Sequence, residues 1–391
     1  MDALTKSSID VGGIFREYGQ QYRQQYPMSE RQHKAFYAIK SCRTATLGGH
    51  ADHCDLCGHQ RFFYNSCRNR HCPKCQGLKR AKWVDKLSCD LLPVQYFHVV
   101  FTIPSELNPL ALANQSCIYD ILFKAASETL LTLARDQKYL GSLTGVVAIL
   151  HTWGQNLMHH PHLHTMVPSG GWNDGNEKWN LSREKFFIPI RVMSATFRGK
   201  FLFYLKKAWV EQRLKFTGKN QDLKVRKNFN TLIDSLYRKD WVVFTKAPFK
   251  NTSQIIKYLG RYSHRVAITN GRIKDVVENQ VIFTMKDYRD GKQKELKLQS
   301  VEFIHRFMLH VLPKSFCKIR YYGLFACRIR RTVLQKCKKA IGIANAKSKF
   351  MGLSWQKQLY VLTGKDVTLC PVCKKGNMTQ SFIINKLARF S

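Results

Sequence analysis

Two rhythms of apolar residues run along this chain. From about residue 93 onward, short apolar runs alternate with longer amphipathic stretches. Tyr96-Phe97-His98-Val99-Val100-Phe101-Thr102-Ile103 has the character of a buried strand, closed by Pro104. Leu107–Gln137 sets Ile118, Ile121, Leu122, Ala125 and Leu130 near one side of a helix. Gly145–Trp153 and His162–Pro168 follow as strands, giving the order strand, helix, strand, strand. Residues 193–216 predict a helix with a Lys/Arg face, and Trp241-Val242-Val243-Phe244 a short strand. A further helix is expected from about Thr252 to His264, with Asn251 and Gln254 at capping-box-like spacing. Val281–Met285 and Glu295–Leu298 flank Asp290-Gly291, a hairpin signal.

The first 92 residues have another texture. Residues 1–45 read as helical and polar, with Met28-Ser29-Glu30-Arg31-Gln32 as a helix start. Residues 46–77 are rich in Gly, Cys and His and show little periodicity. Lys79–Leu92 reads as a short basic helix. No apolar run approaches the roughly 20 residues of a membrane span. The first residues lack a basic start followed by an apolar run, so no secretory leader is expected.

Charge narrows the partner. The 391 residues carry 64 Lys and Arg against 26 Asp and Glu, a formal net of +38. Such an excess opposes compactness unless an anionic partner balances it. No single amphipathic helix holds the excess, which favours nucleic acid over a membrane surface. From Pro313 to Phe350 there are 11 Lys or Arg and no acid, interleaved with Tyr321, Tyr322 and Phe325. Arg320, Arg328, Arg330 and Arg331 are candidate DNA contacts there.

The 13 cysteines, an odd number, fit zinc in a reducing compartment better than a disulfide framework. Cys54-x2-Cys57 and Cys72-x2-Cys75 are expected to hold one tetrahedral ion between them. Cys67 and His71 lie in the gap as alternative ligands, and Cys42, His50 and His53 are candidates for a second ion. Arg68 and Arg70 lie on the same loop as candidate DNA-reading residues. Cys370-Pro371-Val372-Cys373 is half a site, lacking partners unless Cys317, Cys327 or Cys337 supply them.

Two motifs carry candidate chemistry. On a strand, His162 and His164 share a face with Leu163 turned to the core. A hairpin would bring the Gln155 amide oxygen near them, a donor set suited to Mg²⁺ or Mn²⁺. On the helix of Lys257-Tyr258-Leu259-Gly260-Arg261-Tyr262, Tyr258 and Tyr262 stand one turn apart, beside a stripe of Lys257 and Arg261. Gly260 in mid-helix costs about 1 kcal/mol of propensity, which points to another reason for it. Each motif alone is compatible with a structural role. Together they suggest a tyrosine that attacks DNA phosphorus beside a metal ion, with Lys257 or Arg261 balancing charge.

The combination resembles the rolling-circle insertion-sequence transposases of the two-tyrosine HUH class, the insertion-sequence-ninety-one group. The matching stretches include Leu47-Gly48-Gly49-His50, Ser66-Cys67-Arg68-Asn69-Arg70-His71-Cys72, Thr152-Trp153-Gly154-Gln155, His160-Pro161-His162-Leu163-His164 and Tyr258-Leu259-Gly260-Arg261-Tyr262. His310-Val311-Leu312-Pro313 and Ile319-Arg320-Tyr321-Tyr322-Gly323 match as well. The resemblance implies an α+β fold with a ferredoxin-like antiparallel catalytic sheet and packed helices. Its expected parts are a helical, zinc-binding DNA-recognition domain at 1–90, a catalytic domain at 91–312 and a basic DNA-contacting region at 313–391. It implies nicking and rejoining of single-stranded DNA through a 5′-phosphotyrosine, with Tyr258 and Tyr262 as nucleophiles and His162 and His164 as ligands. Zinc would be structural and Mg²⁺ or Mn²⁺ catalytic, in the bacterial cytoplasm at the nucleoid. No phosphate-binding helicase motif is present, so unwinding falls to a host helicase or to supercoiling. A replication initiator of the same chemistry, and a non-catalytic zinc-dependent regulator, are the alternatives.

Overall fold

The computed structural model describes residues 9–182, 188–249, 252–262, 266–287 and 290–386. Three helices come first: α1 (Val11–Glu17), α2 (Gly19–Gln25) and α3 (Glu30–Lys40). Ser29 caps α3 through a capping box with Gln32, the start its sequence predicts. A hairpin of β1 (Gly49–Cys54) and β2 (Gln60–Tyr64) leads to α4 (Gly77–Asp90) and β3 (Tyr96–Thr102). Then come α5 (Asn108–Ala113), α6 (Gln115–Arg135), β4 (Gly145–Trp153), β5 (His159–Pro168), β6 (Gly170–Asn173) and β7 (Lys178–Leu181). The middle continues through α7 (Ile190–Val210), α8 (Arg226–Arg238), β8 (Val243–Phe249) and α9 (Thr252–Tyr262). The remainder is β9 (Ile273–Val277), β10 (Gln280–Lys286), β11 (Gln293–Gln299), α10 (Ser300–Met308), β12 (Ile319–Gly323), α11 (Val333–Ala340), α12 (Trp355–Thr363) and β13 (Met378–Ile384).

The single helix expected over Leu107–Gln137 is two, because Asn114 diverts its polar groups to the chain at Lys215. Asn114 Nδ2 donates to the Lys215 carbonyl at 2.8 Å, and its Oδ1 accepts from the Lys215 N–H at 2.6 Å. The helix expected to reach His264 is described as far as Tyr262. Asn251, its expected cap, and His264 fall outside the described residues.

The central sheet has the order β12-β4-β5-β3-β8. Every pairing in it is antiparallel. Without the edge strand β12, the succession β3, α6, β4, β5, α7, β8 with this order is the ferredoxin-like topology. One face is apolar: Phe97, Val99, Phe101, Val146, Ala148, Leu150, Leu163 and Val167 pack with the buried sides of α6 and α7. The other face meets α4 and α9 through Tyr96, Val147, Ile149, Met166, Leu87 and Ile255.

The outer parts are woven together rather than strung in sequence. Phe15, Tyr22 and Phe36 of the first helices share a core with Phe283, Phe303 and Phe307, far along the chain. The β13-β1-β2 sheet joins the last strand to the first hairpin. No described helix is long and apolar enough to cross a membrane.

Buried histidines sit between these parts. His310 Nε2–H donates to the Leu157 carbonyl at 2.9 Å and its Nδ1 accepts from Thr152 Oγ1 at 3.1 Å. His159 Nε2 lies 2.8 Å from the Tyr119 hydroxyl. Burial pushes His310 down to about 4 and His159 to about 3, from an ordinary 6.5. Below the ordinary value the unfolded chain then binds more protons than the folded one, so stability falls as pH falls. We expect the urea midpoint to be constant just above pH 6.5 and to drop between there and pH 4. The drop should be shallower in His310→Gln, which keeps a donor for Leu157 but gains no charge. An equal slope in the variant would contradict this assignment.

Candidate active site and metal centres

Strand alternation gathers four imidazoles on the sheet face beneath α9. His151 stands opposite His162, and Ile149 opposite His164. Val100 stands opposite His164 on the other side of β5, so His98, two residues back, turns to the same face. His162 Nε2 lies 3.0 Å from His164 Nε2. The ligand nitrogens of His151, His162 and His164 all lie within 4.8 Å of one another. His162 Nδ1–H donates to the His160 carbonyl at 2.7 Å, which leaves Nε2 with its lone pair facing the cluster. Burial holds His162 down to about 4, so the ring is neutral near pH 7.

Tyr258 hangs over this cluster from α9. Its hydroxyl is 3.1 Å from His98 Nε2 and 3.1 Å from His164 Nδ1. Those two nitrogens are 2.9 Å apart. Ile255 anchors α9 in the core. At Gly260 a Cβ would meet Val84 of α4 at 3.4 Å, so this glycine marks the close approach of the two helices. The side chains of Lys257, Arg261 and Tyr262 lie outside the described ones.

Sequence reading missed two members of this site. His98 and His151 stand on strands without a repeated histidine motif, and only the register shows that they face His164 and His162. Gln155 lies in the β4–β5 turn, where its backbone carbonyl accepts from Arg272 Nη2 at 2.7 Å. The third nitrogen beside His162 and His164 comes from His151. Around them, Trp153 stacks on His151 at 4.7 Å and carries the Lys318 ammonium 6.0 Å above its ring. Burial, then Arg70, pushes Lys318 down to about 7.

The His162–His164 separation fits an ion. Two ligands at right angles with bonds of about 2.1 Å are about 3.0 Å apart. Three imidazoles also shift the donor set away from Mg²⁺, which prefers oxygen, toward Mn²⁺ and later ions.

The cysteines group differently from the sequence expectation. Cys42, Cys67, Cys72 and Cys75 form one cluster, and Cys54, Cys57, Cys370 and Cys373 another. The two pairs expected to share an ion are therefore separate, because the β1–β2 hairpin carries Cys54 and Cys57 toward the chain's last strand. The knuckle at 370–373 has its partners there, and not in Cys317, Cys327 or Cys337. In the first cluster, Cys42 lies 3.3 Å and Cys67 3.6 Å from Cys75. Hydrogen bonds from Cys67 and Cys72 pull the Cys42 thiol down to about 7. This cluster fits structural zinc. His71, His50 and His53 join neither cluster. His71 Nε2 instead accepts the Leu312 N–H at 3.1 Å, and His50 stacks on Phe63.

The basic candidates divide. Arg68, Arg328 and Arg331 are exposed. Arg320 turns to the α6 side of the sheet, bonded to Asp120 and lying over Phe123. Arg330 pairs with Asp90 at 2.9 Å, and Arg70 is half-buried near Lys318.

Comparison with known proteins bears on these centres. Residues 14–103 match the family model described as "Transposase zinc-binding domain", and residues 145–332 the one described as "Putative transposase". The chain is 44% identical to "Putative transposase y4qJ" of Sinorhizobium fredii, over 96% of this chain and 95% of that protein. It is 26% identical to "Transposase for insertion sequence element IS801" of Pseudomonas savastanoi pv. phaseolicola, over 78% of this chain and 72% of that protein. No solved structure matches it.

His151 offers the third nitrogen within reach of one ion beside His162 and His164. Titration calorimetry with Mn²⁺ should show His151→Ala weakening binding by about 10-fold or more, a loss of the size typical for groups that support a metal site. Gln155→Ala should weaken it less. The reverse order would restore the amide as the third donor.

Proposed function

The chain belongs to the transposases of the insertion-sequence-ninety-one type, and on that premise we propose that it nicks and rejoins single-stranded DNA at element ends through a 5′-phosphotyrosine on Tyr258. The observation that carries the reading is the Tyr258 hydroxyl, 3.1 Å from both His98 and His164. His164 in turn has its other nitrogen 3.0 Å from His162.

The protonation pattern follows from that geometry. With His164 Nε2 directed at the metal position, its Nδ1 carries the proton and points at the Tyr258 oxygen and His98 Nε2. His98 Nε2 is then an acceptor, placed to take the phenol proton as Tyr258 attacks. His164 Nδ1–H faces the phenolate that forms. The new bond joins Tyr258 Oη to phosphorus, and the bond from phosphorus to the 3′-oxygen breaks. The 3′-oxygen takes up a proton, so the net count is unchanged and the ester energy is kept for rejoining. A divalent ion held by His151, His162 and His164 would supply charge neutralisation at the scissile phosphate. The nitrogen donors favour Mn²⁺ over Mg²⁺ in that place.

Tyr262, one turn further along α9, is the second nucleophile in this proposal, and Lys257 and Arg261 balance phosphate charge. The exposed Arg68, Arg328 and Arg331 supply cationic surface for the strand. These assignments rest on the family motif and on the basic excess of +38.

The test is a labelled single-stranded oligonucleotide bearing an element end, incubated with protein and Mn²⁺ and then denatured. The wild type should leave a covalent adduct. Tyr258→Phe should reduce it about 100-fold or more, and His98→Gln should lower its rate about 100-fold at neutral pH with recovery as pH rises. His162→Ala and His164→Ala should abolish cleavage and spare binding. Persistence of the adduct in the combined Tyr258→Phe, Tyr262→Phe variant would refute the tyrosine mechanism.

A further inference from the structure

The family model for zinc binding ends at residue 103, so it contains only half of the second cysteine cluster. The other half comes from residues 370 and 373. Cys54 and Cys373 sulfurs are 3.7 Å apart, and Cys57 and Cys370 sulfurs 3.6 Å, across 319 and 313 residues of sequence. A disulfide would bring two sulfurs to about 2.05 Å. A tetrahedral ion with bonds of about 2.3 Å sets its sulfurs about 3.8 Å apart. The observed spacing matches the second case, and all four sulfurs lie within 4.8 Å of one another.

The two halves are built alike. Cys54 Sγ accepts backbone N–H bonds from Leu56 and Cys57, at 3.4 and 3.5 Å. Cys370 Sγ accepts from Val372 at 3.4 Å, and Cys373 Sγ from Gly376 at 3.3 Å. The residue after each knuckle is left-handed, Gly58 at φ 67° and Lys374 at φ 56°. At Gly376 a Cβ would lie 2.5 Å from Cys54 Sγ and 2.7 Å from Leu56 Cβ, so only glycine lets the second knuckle close on the first. Asp55 Oδ1 accepts the Asn377 N–H at 2.7 Å across the same junction.

The strand beyond the second knuckle has little apolar burial to hold it. β13 pairs with β1 from Gly49–Ile384 to Cys54–Met378, yet it buries almost nothing. Phe382 is 49% and Ile383 69% exposed. An edge strand without an apolar anchor is marginal by its ladder bonds alone. Cys54 and Cys370, by contrast, are buried to 2% and 1% exposure.

We propose that Cys54, Cys57, Cys370 and Cys373 bind a second zinc ion, and that this ion is a clasp fixing the C-terminal strand β13 to the N-terminal hairpin. The clasp closes nearly the whole chain into one loop, and it sets Phe382 edge-on to Phe62 on the outer face of the hairpin. It is independent of the tyrosine chemistry.

The test uses the full-length protein in a His162→Ala, His164→Ala background, which keeps zinc off the imidazole site and serves as the wild type throughout; it is reconstituted with ZnCl₂ and its zinc content read by native mass spectrometry. The wild type should carry two zinc ions per chain. Cys370→Ser with Cys373→Ser should carry one, and protease should then cleave between Gly364 and β13, a segment resistant in the wild type. A chain ended at Gly364 should also carry one ion and keep its far-ultraviolet circular dichroism, which separates loss of the clasp from loss of the fold. Cobalt added in place of zinc should give tetrathiolate bands of twice the intensity in the wild type as in either variant. One ion in the wild type, two in the double variant, or an unchanged protease pattern after loss of the second ion would each overturn the proposal.

Discussion

The register of β4 against β5 is the constraint on which the rest of the structure depends. In an antiparallel pair the side-chain period is two, so a slip of one residue moves every side chain to the other face. Here His151 opposes His162 and Leu150 opposes Leu163. The leucines belong to the apolar core with α6 and α7, and the histidines to the opposite face beneath α9. The core therefore fixes the site: a slip that disturbed the imidazoles would also expose Ala148, Leu150 and Leu163. No separate device is needed to hold three imidazoles together, because apolar burial on one face of the sheet does it from behind.

Those features were legible in the sequence where periodicity was strong. The strands at 96–103 and 145–153 stood out because their apolar residues bury one or both faces, and so did the helix expected at 193–216, which runs from Ile190 to Val210. Leu163 between His162 and His164 showed which way the histidines turn. His98 and His151 were hidden because a single histidine within an apolar run reads as core. Their role depends on strand order, which pairs β3 and β4 on either side of β5 and which local pattern does not contain. Gln155 is read from its place along the chain, whereas His151 stands across the ladder from His162, a neighbour local pattern does not show. Helix α10 buries Phe303, Ile304, Phe307 and Met308, but its nine residues are too few for the stripe to stand out in the sequence.

The cysteine pairing was illegible for a different reason. Cys-x2-Cys units announce themselves by spacing, but the partner of each unit is set by topology. Cys72 and Cys75 find Cys42 and Cys67 within one loop region. Cys54 and Cys57 sit at the tip of a hairpin whose strand β1 has little apolar sequence, and its second neighbour is the last strand of the chain. Sequence distance made the nearer pairing look natural. Loop-closure cost grows only slowly with length, so a partner some 300 residues away is little harder to reach than one much closer.

The zinc-binding region and Tyr258 are mechanically joined. Helix α4 begins two residues after Cys75, so the first cysteine cluster fixes its starting point and direction. Along α4, the Trp83 indole N–H donates to the Tyr321 hydroxyl at 2.7 Å, tying the helix to the edge strand β12. One residue on, Val84 receives Gly260 of α9. A Cβ at 260 would reach Val84 at 3.4 Å, so the two helices are in direct contact at the point where α9 presents Tyr258. The tyrosine is thus located from two sides, by the imidazoles it bonds and by a helix whose origin is a metal cluster. A protein that must hold a phenol within hydrogen-bond reach of two imidazoles, while a net charge of +38 works against compactness, gains from anchoring the tyrosine's helix against one that starts at a cysteine cluster.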